Sequence, residues 1–89
     1  MPEQKIAVRT YRDEDGTPRR FHYYLTIDLA ETPQFCCELY GIRITDDCGA
    51  TALFPAITPS AARIDKLLTL LVNHAVGPIG LEDVLSDWL

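Results

Sequence analysis

Residues 6–25 read Ile6-Ala7-Val8-Arg9-Thr10-Tyr11-Arg12-Asp13-Glu14-Asp15-Gly16-Thr17-Pro18-Arg19-Arg20-Phe21-His22-Tyr23-Tyr24-Leu25, two alternating runs around an Asp-Gly pair. Alternation of apolar and polar residues marks a half-buried strand, because successive side chains of a strand point to opposite faces. Asp-Gly is a favoured pair for a two-residue type I′ hairpin turn. With Asp15 and Gly16 in that turn, Ile6 faces Leu25, Val8 faces Tyr23 and Thr10 faces Phe21, so both apolar stripes fall on one side. Pro18 then lies opposite Asp13 in a non-hydrogen-bonded pair, where a missing N–H costs nothing.

Working outward, alternation continues through Ile27 and Leu29, and the stretch from Ala30 to Gln34, with Pro33, reads as a connection. A third strand is expected from Phe35. Phe35, Cys37 and Leu39 share one parity and Ile42 and Ile44 the other, which predicts a β-bulge near Tyr40-Gly41. A three-residue loop of Asp47, Cys48 and a left-handed Gly49 pairs Ile44 with Ala52 and Ile42 with Phe54; a two-residue Cys48-Gly49 turn would pair Ile44 with Leu53 instead. The fourth strand is expected to end at Pro55.

From Thr58 the period becomes helical. Thr58-Pro59 has the form of a hydroxyl N-cap followed by proline at the first helical position. Ala61, Ile64, Leu67, Leu68, Leu71 and Ala75 recur on one helical face until Gly77-Pro78. A second helix is expected with Gly80 as N-cap, Glu82 and Asp83 in its positive first turn, Ile79 stapled on Val84, and Leu81, Val84, Leu85 and Trp88 as its apolar face. The pattern amounts to one α+β domain over residues 1–89, a four-stranded antiparallel meander with two C-terminal helices packed on one face.

At 89 residues the chain has room for one domain, and with 47% hydrophobic and 24% charged residues it has the composition of a folded one. No apolar run approaches the roughly 18 residues that a membrane span needs. The opening Met-Pro-Glu-Gln-Lys lacks a signal-peptide pattern, so a cytoplasmic location is expected. Three cysteines, two of them adjacent, fit free thiols in a reducing compartment better than a disulfide framework. The net charge of −5 disfavours nucleic acid as a partner, although the first twenty residues hold Lys5, Arg9, Arg12, Arg19 and Arg20.

Cys36, Cys37, Cys48, His22 and His74 are the metal-ligating types in the chain, but adjacent strand residues point apart and no C-x-x-C or H-x-x-x-H pair occurs. Neither a metal nor a cofactor is expected. Cys37 reads as a core residue, Cys36 as semi-exposed and Cys48 as part of a turn. No glycine-rich phosphate loop, nucleophile elbow or distinctive carboxylate pair is present, so no catalytic residue is assigned and the chain is not read as an enzyme.

What the pattern does offer is a surface. The hairpin register above sends Lys5, Arg9 and Tyr11 away from the core, with Arg20, His22 and Tyr24 beside them, Arg9 opposite His22 and Tyr11 opposite Arg20. Cross-strand cation–π and aromatic pairs of this kind also stabilise an exposed two-stranded edge with no partner at all. Tyr and Arg are enriched at interface hot spots, however. Arg9, Tyr11, Arg20, His22 and Tyr24 are therefore the candidate interaction face of a non-enzymatic protein-interaction or regulatory module. A protein partner or a second copy of the chain would bind there or at an exposed sheet edge. The alternative is a small-ligand or metal-binding protein with a pocket between sheet and helices, near Cys36, Tyr40 and His74.

Tyr40-Gly41-Ile42 and the tail Pro78-Ile79-Gly80-Leu81-Glu82-Asp83-Val84-Leu85-Ser86-Asp87-Trp88 resemble a family of short uncharacterised proteins from anaerobic gut bacteria, over a region from the second strand to the C-terminus. Gly80 departs from the family pattern, in which a larger polar residue, often histidine, is usual. The resemblance implies a small intracellular bacterial protein and supplies no activity or site residue.

Overall fold

The computed structural model describes residues 2–31, 33–34 and 36–88. Its elements are β1 (Glu3–Arg12), β2 (Pro18–Glu31), β3 (Cys36–Asp46), β4 (Thr51–Thr58), α1 (Ala61–Asn73), a 3-10 turn (Pro78–Gly80) and α2 (Leu81–Trp88). The strands form one antiparallel sheet in the order β1-β2-β3-β4. This is the expected α+β meander followed by a helical pair. The expectation that the third strand begins at Phe35 lies outside the described residues.

The first hairpin is registered one residue away from the expected pairing. Ala7 pairs with Tyr23, Val8 with His22, Arg9 with Phe21, Tyr11 with Arg19 and Arg12 with Pro18. The cause is the turn. Asp13 N–H donates to the Thr17 carbonyl, Gly16 N–H donates to the Asp13 carbonyl, and Gly16 takes φ +78. This is a three-residue loop of Glu14, Asp15 and a left-handed Gly16, not a type I′ turn. Asp13 Oδ1 selects it by accepting from the Asp15 and Thr17 amides at 3.0 and 2.9 Å. The second hairpin repeats the device: Asp46 Oδ1 accepts from the Cys48 and Ala50 amides, and Gly49 stands at φ +93. There the three-residue loop was expected, and Ile42 indeed pairs with Phe54 and Ile44 with Ala52.

Because side chains alternate, a one-residue slip moves every side chain of β1 beyond the turn to the other face. Ala7, Arg9 and Tyr11 point to the helix side, while Val8 and Thr10 point away. A bulge at Ile6, between Lys5 and Ala7, then reverses the phase, so Lys5 pairs with Tyr24 on the face away from the helices.

The pairing of β2 with β3 runs without interruption from Phe21–Asp46 to Glu31–Cys36. The expected bulge is therefore absent from β3 as β2 sees it, and Cys37 and Leu39 stay on the face opposite Ile42 and Ile44. The irregularity lies between β3 and β4: Ile42 pairs with Phe54 but Tyr40 with Thr58, so the additional residues belong to β4. They form a kink at Pro55-Ala56, with Ala56 at φ +55, and β4 continues past Pro55 to Thr58. Gly41 is required for a different reason from the expected one, namely that the β4 backbone passes against it.

The core joins Tyr23, Ile42 and Ile44 of the sheet to Ile64, Leu67, Leu68 and Leu71 of α1 and Leu81 and Leu85 of α2. Ser60, not Thr58, caps α1: its side chain accepts from the Arg63 amide, while Thr58 remains in β4 and its hydroxyl accepts from the Ser60 amide. Ala61 is exposed and Ala75 lies beyond the helix, so neither belongs to the buried stripe. The helix ends before Gly77-Pro78 in a Schellman motif, with Val76 N–H donating to the Leu71 carbonyl and Ala75 N–H to the Val72 carbonyl. Ala75 occupies the left-handed position at φ +49. Glycine pays no Cβ penalty there, so Ala75→Gly is expected to raise stability by about 0.5–1 kcal/mol in urea unfolding. A loss of stability would show that Ala75 relaxes to another conformation.

Gly80 belongs to the 3-10 turn instead of capping α2, and Ile79, expected to staple against Val84, is 92% exposed. Leu81 and Leu85 are buried and Val84 and Trp88 half-buried, which matches the expected apolar face of the last helix. Trp88 also carries the Arg63 guanidinium 4.5 Å above its ring.

Candidate functional site

With both helices on one side, the opposite face of the sheet presents rows of side chains running across the strands. One row is Lys5, Tyr24, Arg43 and Leu53; the next is Val8, His22, Thr45 and Thr51; Thr10 and Arg20 follow. These strands hold their side chains on paired backbone, which fixes their spacing.

Tyr24 is the centre of the first row. The Arg43 guanidinium lies 4.1 Å from its ring centroid and the Lys5 ammonium 6.0 Å. Arg43 is also clamped by Glu3, at 2.6 Å from Nε to Oε2 and 3.1 Å from the terminal nitrogen to Oε1, a bidentate pair that raises the guanidinium pKa above its usual value. In the neighbouring rows Asp47 reaches over from the second turn. Its Oδ1 lies 3.0 Å from His22 Nε2, and its Oδ2 accepts from the Arg20 amide and faces Arg20 Nε at 3.5 Å. The bond from His22, followed by the Arg20 amide, holds the Asp47 carboxyl below the ordinary carboxylate range, against the opposing effect of burial. The charges of this face are thus largely matched on the face itself. Val8 and Leu53, at 41% and 42% exposure, add apolar surface on the two outer strands.

Of the five residues expected to form one face, Arg20, His22 and Tyr24 come together there and Arg9 and Tyr11 do not. Both of the latter lie on the helix side, because the three-residue loop shifts β1 by one. Tyr11 stacks on Phe21 with centroids 4.1 Å apart and planes 15° from parallel, and burial together with the nearby Cys48 and Asp46 raises its hydroxyl pKa. The face gains Glu3, Val8, Arg43, Asp47 and Leu53, which the hairpin reading missed. A signal for the shift was present: Asp13-x-x-Gly16 repeats Asp46-x-x-Gly49, the pattern already assigned a three-residue loop.

Cys36, Tyr40 and His74 do not converge on a pocket. Cys36 is exposed at the start of β3, the Tyr40 hydroxyl donates to Glu38 at 2.9 Å, and His74 is the exposed C-cap of α1. The middle of the space between sheet and helices is filled by the core, and open grooves remain at its margins, one between residues 54–57 of β4 and Glu82, Leu85 and Ser86 of α2, another between β1 and α1, neither of them lined by Cys36, Tyr40 or His74. Cys37 is half-buried on the face away from the helices and so is not a core residue; Cys48 is exposed in its turn. Among the described residues no helix is long and apolar enough to cross a membrane.

A family model described as a family of unknown function matches residues 3–89. That match also takes in β1, which lies before the region from the second strand to the C-terminus that carries the resemblance. No curated protein and no solved structure matches the chain.

Proposed function

The chain belongs to the family of unknown function DUF6514, and since that membership brings no chemistry with it, we propose from the geometry that it is a non-enzymatic protein-interaction module whose bare sheet face receives a protein partner. The observation that carries this reading is the Tyr24 row: an aromatic ring stacked under Arg43, with exposed Leu53 in the same row and exposed Val8 in the next, on a face that no helix among the described residues covers. Tyr and Arg are the residues on which interface energy concentrates. Glu3 already neutralises Arg43, and Asp47 already accepts from His22 and Arg20, so of the charges on the face Lys5, over the Tyr24 ring, is left for an acidic group of the partner to match. Arg43 and Asp47, already held in ion pairs, lose less side-chain entropy on binding than unpaired ones would. The acidic balance of the chain disfavours a nucleic acid there. A cytoplasmic, bacterial setting fits the free thiols of Cys36, Cys37 and Cys48.

The test is affinity capture from the native host with quantitative mass spectrometry, followed by calorimetric titration of the purified partner against variants. Tyr24→Ala and Leu53→Asp are expected to weaken binding more than about tenfold, while Ile79→Ser, on the helix side, leaves it unchanged. A partner bound equally well by all three variants would overturn the proposal for this face.

A further inference from the structure

β1 is an edge strand of the sheet with no second strand paired to it among the described residues, and its backbone along Glu3–Arg12 has a definite polarity. Ile27 N–H donates to the Pro2 carbonyl at one end and Asp13 N–H to the Thr17 carbonyl at the other. In an antiparallel ladder residues alternate between facing the neighbouring strand and facing away. Counting inward from both ends across the Ile6 bulge, Glu3, Lys5, Val8, Thr10 and Arg12 turn their N–H and C=O groups to the outside. Such an edge is a template for another strand.

We propose that this edge binds a second copy of the chain, the two β1 strands pairing antiparallel about a two-fold axis at Val8. Three properties of β1 favour itself as occupant. The first is the backbone. With Val8 opposite Val8 of the second copy, Thr10 meets Lys5 and Arg12 meets Glu3, so every outward-facing residue of the strand meets another outward-facing one and each such pair exchanges two hydrogen bonds. The second is the face. The Ile6 bulge in each copy keeps Lys5 with Thr10, and Glu3 with Arg12, on the side away from the helices, and Ala7 with Arg9, and Gln4 with Tyr11, on the helix side. Both copies then carry their helices on the same side of one continuous sheet.

The third property is charge. This register sets Arg12 against Glu3, whose carboxylate also holds Arg43 of its own chain, at both ends and places no like charges directly opposite each other. Sliding it two residues one way puts Lys5 against Arg12 and Arg9 against itself; sliding it the other way centres the axis on Ala7 and leaves Arg12 without a mate. Opposite charges directly across a strand pair stabilise it and like charges destabilise it. A groove of about 180 Å³ follows the same edge on the helix side, lined by Ile6, Ala7, Asp65, Leu68 and Val72 among others. In the paired arrangement Arg9 of the second copy stands opposite Ala7, beside Asp65, and the two copies close the groove over exposed Ile6. An isologous contact of this kind closes on itself and gives a dimer instead of a filament.

The inference rests on the reading of the chain as an interaction module, but it uses the edge of β1 where that reading uses the sheet face. Sedimentation velocity over a concentration series and amide hydrogen exchange by NMR test it together. The expected result is a monomer–dimer equilibrium in the micromolar range. The amides of Lys5, Val8 and Thr10 become protected as concentration rises, while those of Ala7, Arg9 and Tyr11 are protected throughout. Val8→Lys, which sets two ammonium groups at the axis, is expected to raise the dissociation constant by at least about tenfold, whereas Tyr24→Ala and Leu53→Asp leave it unchanged. A chain that stays monomeric to about 0.5 mM, or a dimer in which Val8 and Thr10 amides exchange at the monomer rate, overturns the proposal. Loss of the dimer in the face variants with the β1 amides still open would move self-association to the sheet face.

Discussion

Gly41→Ala is expected to lower the stability of the protein by about 3 kcal/mol or more, a large share of the roughly 5–15 kcal/mol that holds a small domain together. A Cβ at this position would stand 2.5 Å from both the Phe54 carbonyl oxygen and the Pro55 Cα, and 2.6 Å from Thr26 Oγ1. The first two are backbone atoms and cannot rotate away as a side-chain end does. To admit the methyl group β4 has to lift from β3 at its kink, which puts at risk the pairing of Ile42 with Phe54 and uncovers Thr26, buried beneath the crossing. Urea unfolding with a melting curve checks this: for a domain of this size the midpoint temperature should fall by more than about 10 °C. A loss below about 1 kcal/mol would mean that β4 does not cross so close to Gly41.

Tyr23→Phe is the second substitution with a large expected effect, and it carries a pH signature. Tyr23 is fully buried at the middle of the sheet, and its hydroxyl donates to the Val76 carbonyl at 2.8 Å, tying the segment after α1 to β2. Removing the hydroxyl leaves a shielded carbonyl without a donor, at a cost of about 1–2 kcal/mol at neutral pH. Burial pushes the Tyr23 hydroxyl pKa up to about 12, from 10.0 when the chain is unfolded, with Arg9 opposing the shift. The folded state therefore favours the neutral phenol. Its contribution is fully present below about pH 10 and is lost as pH rises from 10 towards 12, a swing on the order of 2–3 kcal/mol. Denaturant unfolding between pH 9 and 11.5 should show the wild type losing stability more steeply than Tyr23→Phe; parallel slopes would mean that the hydroxyl is reached by solvent in the fold.

The helices and the second hairpin were the most legible parts of the chain. Leu67, Leu68, Leu71, Leu81 and Leu85 repeat at helical spacing, and they are buried as that spacing implies. Gly49 after Asp46 fits a three-residue loop most simply, with a two-residue Cys48-Gly49 turn as the alternative, and the structure has the three-residue loop. The first hairpin was harder, since Asp15-Gly16 is compatible with two loop lengths that differ by one residue. The choice falls to Asp13, whose carboxylate bonds two amides only in the longer loop. That single residue decides the candidate site: it sends Arg9 and Tyr11 to the helix side and leaves Arg20, His22 and Tyr24 opposite.

Helix boundaries failed for a related reason. Thr58 has the local chemistry of an N-cap, but β4 continues to it after the Pro55-Ala56 kink, and Ser60 caps the helix instead. Ala75 has no local signal for a left-handed residue; its conformation answers to the Schellman bonds of Val76 and Ala75 and to the Tyr23 hydroxyl that holds Val76 in place.

The sequence by itself determined the order of elements, the antiparallel meander and the buried stripes of both helices, because each depends on periodicity and turn chemistry within a few residues. Tertiary structure decided which face of β1 meets the core, where β4 kinks, and how Glu3, Tyr24, Arg43 and Asp47 are brought together from separate strands and a turn. Those features depend on register, and a side chain's face reverses with every one-residue slip; only the simultaneous packing of Tyr23, Ile42 and Ile44 against the helices selects among the slips that local chemistry allows.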